Sequence, residues 1–266
     1  MRFIAVQTDP RWMDVTANRQ AIDQTIAASQ PSRGDYIVLP EMCETAWTAD
    51  ATACIAALDA ITPSSESWFS SLATRHGVWL QAGVLLRNAD DSLSNAVVVL
   101  DPNGVRKAIY RKNFLFPNER RSYQAGDGFV IVDVHGVQVC PLICYDLRFP
   151  ELWRLAAQAG TEVFSVSSSW PAVRQEHWRA LLVARAIENQ AVVIASNRTG
   201  NDPNLAYVGG SVAIDHLGQR VGECEAEFGS VAIEFDRASF DGWREKFSAL
   251  RDLRTSLLGT TSIERR

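Results

Sequence analysis

Three residue types that together perform acyl transfer stand in this chain where apolar runs end. They are Glu41 in Leu39-Pro40-Glu41-Met42, Lys112 in Tyr110-Arg111-Lys112, and Cys144 in Leu142-Ile143-Cys144-Tyr145-Asp146. A thiol is a strong nucleophile as the thiolate, which a nearby cation stabilises and a carboxylate base can generate. In that chemistry Glu41 takes the thiol proton and later gives it to departing ammonia. Lys112 stabilises the oxyanion of the tetrahedral intermediate, with the Tyr145 backbone N–H as a second donor. Glu119 is a candidate second carboxylate, holding Lys112 in place or helping to position substrate. Taken singly, each charged residue reads as a surface group or ion-pair member, and Cys144 as a small buried hydrophobe with an inert thiol. Spacing alone does not separate these readings.

The elements around them supply the positions. Val137 to Ile143 reads as a buried strand, and Pro150 suits the first turn of a helix that Gly160 ends, so Cys144 falls at a strand's C-terminal end. Phe3 to Val6 and Tyr36 to Leu39 are further strands, separated by a helix from about Asp14 to Gln30. Glu41 therefore lies where the second strand leaves its sheet. Ser64 to His76 reads as a helix stopped by Gly77. Strands follow at 78–87, 96–100 and 105–110, with a turn at Asp101-Pro102-Asn103-Gly104.

The last of these strands runs into Arg111 to Glu119, whose cations, aromatics and carboxylate, Phe116 among them, suit a pocket wall. Residues 129–134 pair with 137–143 as a hairpin. Strand 163–166 leads to Ser169-Trp170-Pro171 at the same edge. A helix from Glu176 to Gln190 carries Arg185 and Glu188 at pairing distance, read as structural. Strands at 191–195, 211–215 and 231–235 precede a one-sided helix bearing Phe240, Trp243, Phe247 and Leu250, and then a polar tail. Hairpins mixed with strand–helix units favour mixed sheets covered by helices, in one domain spanning residues 1–266.

Composition narrows the partners. A net charge of −5 disfavours nucleic acid and anionic membranes, and no apolar run approaches the length of a membrane span. A small molecule or a protein is left. The five cysteines are scattered through a long chain, which fits reduced thiols and a cytoplasmic protein better than a disulfide framework. Cys140 and Cys144 have neither a second cysteine pair nor a nearby histidine, so no zinc site is expected. His135, His177 and His216 keep open a Cys-His thiol hydrolase, and a non-catalytic binding protein is the third alternative.

The residues around Glu41, those from Tyr110 through Phe116, and Ile143-Cys144-Tyr145-Asp146-Leu147-Arg148-Phe149-Pro150-Glu151 resemble, in this order, the glutamate, lysine and cysteine motifs of the nitrilase superfamily of carbon-nitrogen hydrolases. The similarity continues through Ala184 to Gln190 and Gly209-Gly210-Ser211. It implies a four-layer α-β-β-α sandwich, with Glu41 as general base, Lys112 as oxyanion stabiliser, Cys144 as nucleophile and Glu119 as an additional active-site glutamate. It also implies catalysis without a cofactor or metal. Dimers through the helix after the cysteine and the Arg185 helix are implied too, which gives Arg148 and Arg185 an interface reading beside the structural one.

Within the superfamily, Cys144 to Phe149, Glu119 followed by Tyr123-Gln124-Ala125-Gly126, and Trp170-Pro171 with His177-Trp178 are similar to the bacterial omega-amidases. The resemblance then implies hydrolysis of 2-oxoglutaramate or 2-oxosuccinamate. Other amidases of the superfamily, acting on deaminated glutathione, aliphatic amides or N-carbamoyl compounds, are the alternative. Two places depart from the pattern: Phe114 stands where a histidine is usual, and Cys43 to Trp47 differs from the usual segment. A substrate carboxylate needs a cation opposite the scissile amide, and Arg174 is the candidate. Tyr145, Phe116 and Trp170 are the other expected substrate contacts.

Overall fold

The structure is a computed structural model that describes residues 1–254 and 256. The remainder of the polar tail, and with it part of the expected 1–266 domain, lies outside the described residues. The chain separates into two compact units, Met1–Phe235 and the stretch from Asp236 onward.

In the first unit, β1 (Arg2–Gln7) leads into α1 (Val15–Ala28), whose N-terminus the Asp14 carboxylate caps by accepting from the Ala17 N–H at 3.0 Å. After β2 (Tyr36–Val38) come α2 (Ala51–Asp59) and α3 (Ser65–His76). The latter stops at Gly77, whose φ of 65° lies in the left-handed region that glycine enters without strain. The strands β3 (Trp79–Arg87), β4 (Leu93–Leu100) and β5 (Arg106–Arg111) run as an antiparallel meander. A hairpin of β6 (Val132–Val134) and β7 (Val137–Ile143) is followed by α4 (Pro150–Gln158), β8 (Val163–Ser168), α5 (Gln175–Asn189) and β9 (Val192–Asn197). The small hairpin β10 (Thr199–Asn201) and β11 (Ala206–Val208) precedes β12 (Val212–Ile214), β13 (Arg220–Glu223) and β14 (Gly229–Glu234).

Two six-stranded sheets result, ordered β14-β1-β2-β3-β4-β5 and β13-β12-β9-β8-β7-β6. Each contains a parallel triplet, β1-β2-β3 in one and β7-β8-β9 in the other, with antiparallel strands on both flanks. The triplets pack face to face, β1 on β9 and β2 and β3 on β8, while α1 and α3 cover the first sheet and α5, with α4 beside it, the second. This is the expected four-layer α-β-β-α arrangement. Between the sheets, Tyr36, Gln81, Ser165 and Ser167 form a buried polar link: the Tyr36 hydroxyl donates to Gln81 Oε1 at 2.9 Å, and Gln81 Nε2 donates to Ser167 Oγ at 3.0 Å. Such a link satisfies groups that would otherwise be stranded in an apolar layer.

The second unit carries α6 (Arg237–Lys246), capped by the Asp236 carboxylate on the Ser239 N–H at 3.1 Å. It is shorter than the apolar spacing predicts: Phe247 is extended, and Leu250 lies beyond the helix. Elsewhere, α2 and the hairpin β10–β11 lie where the sequence predicts no element. Only Val132–Val134 of the expected 129–134 strand pairs, because the preceding segment is tied back to the lysine loop, with the Gly126 N–H donating to Lys112 O at 2.9 Å.

Candidate active site

Four chain segments leave their strands toward one place. Glu41 follows β2, Lys112 follows β5, Cys144 follows β7 and Ser169 follows β8. Glu41 and Lys112 are each 1% exposed and Glu119 not at all. The Lys112 ammonium lies 2.8 Å from Glu41 Oε1 and 2.8 Å from Glu119 Oε2, so one cation serves two carboxylates. Glu119 opens a single 3-10 turn, Glu119–Arg121, and its Oε2 accepts the Phe116 N–H at 2.7 Å while Oε1 accepts Trp47 Nε1 at 2.9 Å. Glu41 Oε2 accepts the Ser169 N–H at 2.9 Å, across 128 residues of chain. Asn95 on β4 donates to Glu41 Oε1 and to Glu119 Oε1, both at 2.7 Å.

Charge follows from this packing. Burial pulls the Lys112 pKa down, but Glu119 and Glu41 outweigh it and hold the ammonium well above its ordinary value. Burial pushes Glu119 up, and Lys112 with the Trp47 and Asn95 donors more than reverses it. Burial, then the Glu41 charge, raises the Cys144 thiol; Lys112, the Ser168 hydroxyl and the Ser169 N–H oppose this without cancelling it. Cys144 is therefore a thiol at rest, beside a carboxylate able to take its proton and a cation able to receive negative charge on an acyl oxygen.

Cys144 begins a 3-10 turn, Cys144–Arg148, with a φ of 41°. The left-handed backbone of a non-glycine residue costs energy and persists only where its surroundings impose it. Asp146 does so from inside the turn: Oδ2 accepts the Ile143 N–H at 3.0 Å and the Tyr110 hydroxyl at 2.7 Å, and Oδ1 accepts the Phe114 N–H at 3.0 Å. Burial raises its carboxyl to about 6 against the lowering effect of those donors. Arg185 secures the turn from α5, donating to Leu147 O at 2.8 Å while pairing with Glu188 at 2.9 Å, in keeping with its structural reading. Tyr145 stands at the start of the turn, where 3-10 geometry leaves the N–H without an intrahelical acceptor.

A cavity of about 40 Å³ opens onto this group. Of the expected site residues, Glu41, Lys112, Cys144, Phe116, Tyr145, Trp170 and Arg174 line it; Glu119 stands behind Lys112 and does not. His135, His177 and His216 are absent from the lining. Trp47, Phe116 and Tyr145 line one side of the cavity, with Phe149 packed against Tyr145 outside the lining and successive ring centroids 5.3–6.1 Å apart. Phe114, in the place of the usual histidine, stacks on Phe149 at 3.7 Å and, like it, lies outside the cavity lining.

Several residues here were not singled out for chemistry by the sequence reading. Arg148, read as structural or interfacial, lines the cavity with its guanidinium 4.7 Å over the Trp170 ring; Arg174 lies 5.6 Å over Phe116. Among the described residues neither has a carboxylate partner. Burial, then the charge of Arg174, lowers the Arg148 pKa, as two unneutralised cations in one cleft require. Asn95 had a readable signal, a polar residue inside the apolar run Asn95-Ala96-Val97-Val98-Val99. Leu205 and Tyr207, brought in by β10–β11, had none. Among the described residues no group of three or more His, Cys, Asp or Glu is placed to hold a metal ion.

The family model for carbon-nitrogen hydrolase matches residues 4–245. The chain is 35% identical over 236 residues to the 2-oxoglutaramate amidase of Bacillus subtilis, covering 86% of this chain and 88% of that protein. It is 34% identical over 256 residues to the omega-amidase YafV of Escherichia coli K12, covering 95% and 96%. Among solved structures it superposes on XC1258 of Xanthomonas campestris, described as a CN-hydrolase superfamily protein with an arsenic adduct in the active site. That match has a TM-score of 0.84 and 28% identity and covers 100% and 99% of the two chains.

Proposed function

The chain belongs to the carbon-nitrogen hydrolase family and is a cysteine-dependent hydrolase of linear amides, and from that premise we propose that it is an omega-amidase whose nucleophile is Cys144. In this reading Glu41 removes the thiol proton as sulfur attacks the amide carbon. The tetrahedral oxyanion is stabilised by Lys112 and the Tyr145 N–H, and the proton passes from Glu41 to the departing amine. Ammonia leaves a thioester on Cys144. Water, deprotonated by Glu41, then releases the carboxylic acid and restores the thiol. Glu119 keeps Lys112 charged and fixed.

The single observation that carries the substrate is the pair Arg148 and Arg174. Two guanidiniums without carboxylate partners among the described residues, in a cavity lined also by Trp47, Phe116, Tyr145, Trp170 and Tyr207, suit an amide with a carboxylate at its far end. A 2-oxo acid amide such as 2-oxoglutaramate has that shape, in agreement with the named activity of the relatives. Tyr145, Phe116 and Trp170 hold the carbon chain between the two ends.

Ammonia release from a panel of 2-oxoglutaramate, 2-oxosuccinamate, glutamine, aliphatic amides, N-carbamoyl amino acids and nitriles tests the reading. The oxo-acid amides are expected to have the highest kcat/KM. A preference for uncharged aliphatic amides or for nitriles overturns the substrate and leaves Cys144 standing.

The reading extends to residues 1–266 acting as one domain, since the family match crosses from the first compact unit into the second. It extends also to a cytoplasmic homodimer with no nucleic-acid or membrane partner. All five cysteines are free and the net charge is −5. Leu155 on α4 and Ile187 on α5 are 52% and 54% exposed, an apolar face suited to a second copy. Sedimentation of the full chain as a monomer at micromolar concentration contradicts the dimer.

A further inference from the structure

Asn95 lies within β4, fully buried. Its Nδ2 carries two protons and sends one to Glu41 Oε1 and one to Glu119 Oε1, each at 2.7 Å. Its backbone carbonyl accepts the Lys112 N–H at 2.9 Å. The same residue thus contacts both carboxylates and the chain that carries their shared cation. Its Oδ1 has no hydrogen-bond partner among the described residues. A flipped amide would put that oxygen against two carboxylate oxygens, so the donor orientation is the one electrostatics permits. A residue present only to fill space would not need an amide used solely as a donor.

The need for that donor is visible in the local charge. Around Glu41 stand Lys112 after β5, Glu119 in its 3-10 turn, Cys144 after β7, the Ser169 N–H after β8 and the phenols of Tyr123 and Tyr207. Lys112 alone among them is a cation. Two carboxylates sharing one cation in a buried site compete for it, and such a pair takes up a proton unless further donors stabilise the charged form. We propose that Asn95 is a positioning residue of the amidase reaction, whose paired N–H donation holds Glu41 aimed at Cys144 as its proton acceptor while Lys112 stays shared with Glu119. This rests on Glu41 as the base.

The isosteric change Asn95→Asp separates this role from a structural one, because it keeps the shape and replaces the donor with a third carboxylate. Its acid limb of kcat/KM is expected to move up by about one pH unit or more, with kcat down about 10–100-fold and KM within about twofold. Asn95→Ala, which loses the donor without adding charge, is expected to move the limb in the same direction by less. The pH dependence of Cys144 alkylation by iodoacetamide reads the same change without turnover and serves if activity is too low to profile. An acid limb and an alkylation profile unmoved in folded Asn95→Asp and Asn95→Ala overturn the inference, even with a lowered melting temperature. Full activity in Glu41→Gln would instead overturn Glu41 as the base, which makes the two failures distinguishable.

Discussion

Cys144 is half-buried beside the Glu41 carboxylate and close to one ammonium, and the balance holds its thiol above its ordinary value. In the proposed reaction the thiolate is thus made during attack rather than stored, which puts the burden of activation on Glu41. The same cleft leaves Arg148 and Arg174 without partner carboxylates among the described residues, and in the proposed reaction the substrate's far end is read there. Arg174→Ala is expected to raise KM for 2-oxoglutaramate by about 10-fold or more, the worth of a charge-assisted hydrogen bond. KM for an uncharged aliphatic amide should change by less than about twofold. Steady-state ammonia release with both substrates measures it, and equal effects on the two remove Arg174 from carboxylate recognition. Residue types at strand ends suggested the Glu41, Lys112 and Cys144 group, and the ordered family motifs around them singled it out in the chain. Arg148 was not legible, because its motif position says nothing of which way a guanidinium turns once Trp170 offers it a ring.

At the scale of the element, the nucleophile depends on a turn more than on its strand. β7 delivers Cys144, but Asp146 closes the turn by accepting from Ile143, Phe114 and Tyr110, which come from β7, the lysine loop and β5. Three segments therefore set the direction of one sulfur. Asp146→Asn keeps the size and weakens these contacts, and kcat is expected to fall about 100-fold, the order of loss from misplacing a reacting group by about 1 Å.

Its stability should also respond to pH. The folded carboxyl titrates at about 6, above the unfolded value of about 3.9, so the folded state holds the proton more tightly. Its contribution is full below about pH 4, declines as pH rises through about 6 and is flat above that. Urea unfolding should show this slope in the wild type and its loss in Asp146→Asn; identical slopes contradict the assignment. Strand and helix periodicity revealed most of these elements in the sequence. The turn's hydrogen bonds remained hidden because they join groups up to 36 residues apart. α2 was hidden for another reason: Ala51 to Asp59 is small and apolar on several faces, so no single stripe marks a helix.

Across the whole molecule, the two sheets repeat one pairing pattern, and stacking them brings the ends of β2 and β8 together so that Ser169 meets Glu41. Alternating hairpins and strand–helix units were enough to suggest mixed sheets under helices. Which strand ends would meet depended on stacking, which no local pattern records. The family resemblance supplied the order of the motifs, and the packing supplied Asn95, Arg148 and the Asp146 network that complete the arrangement.

In the proposed reaction all chemistry passes through Cys144. Ammonia release from 2-oxoglutaramate by Cys144→Ala, compared with wild type at matched folded concentration, tests it most directly. Cys144→Ala is expected to lose about 10⁴-fold or more, to the level of the assay blank. Turnover within about tenfold of wild type by a folded Cys144→Ala protein contradicts it.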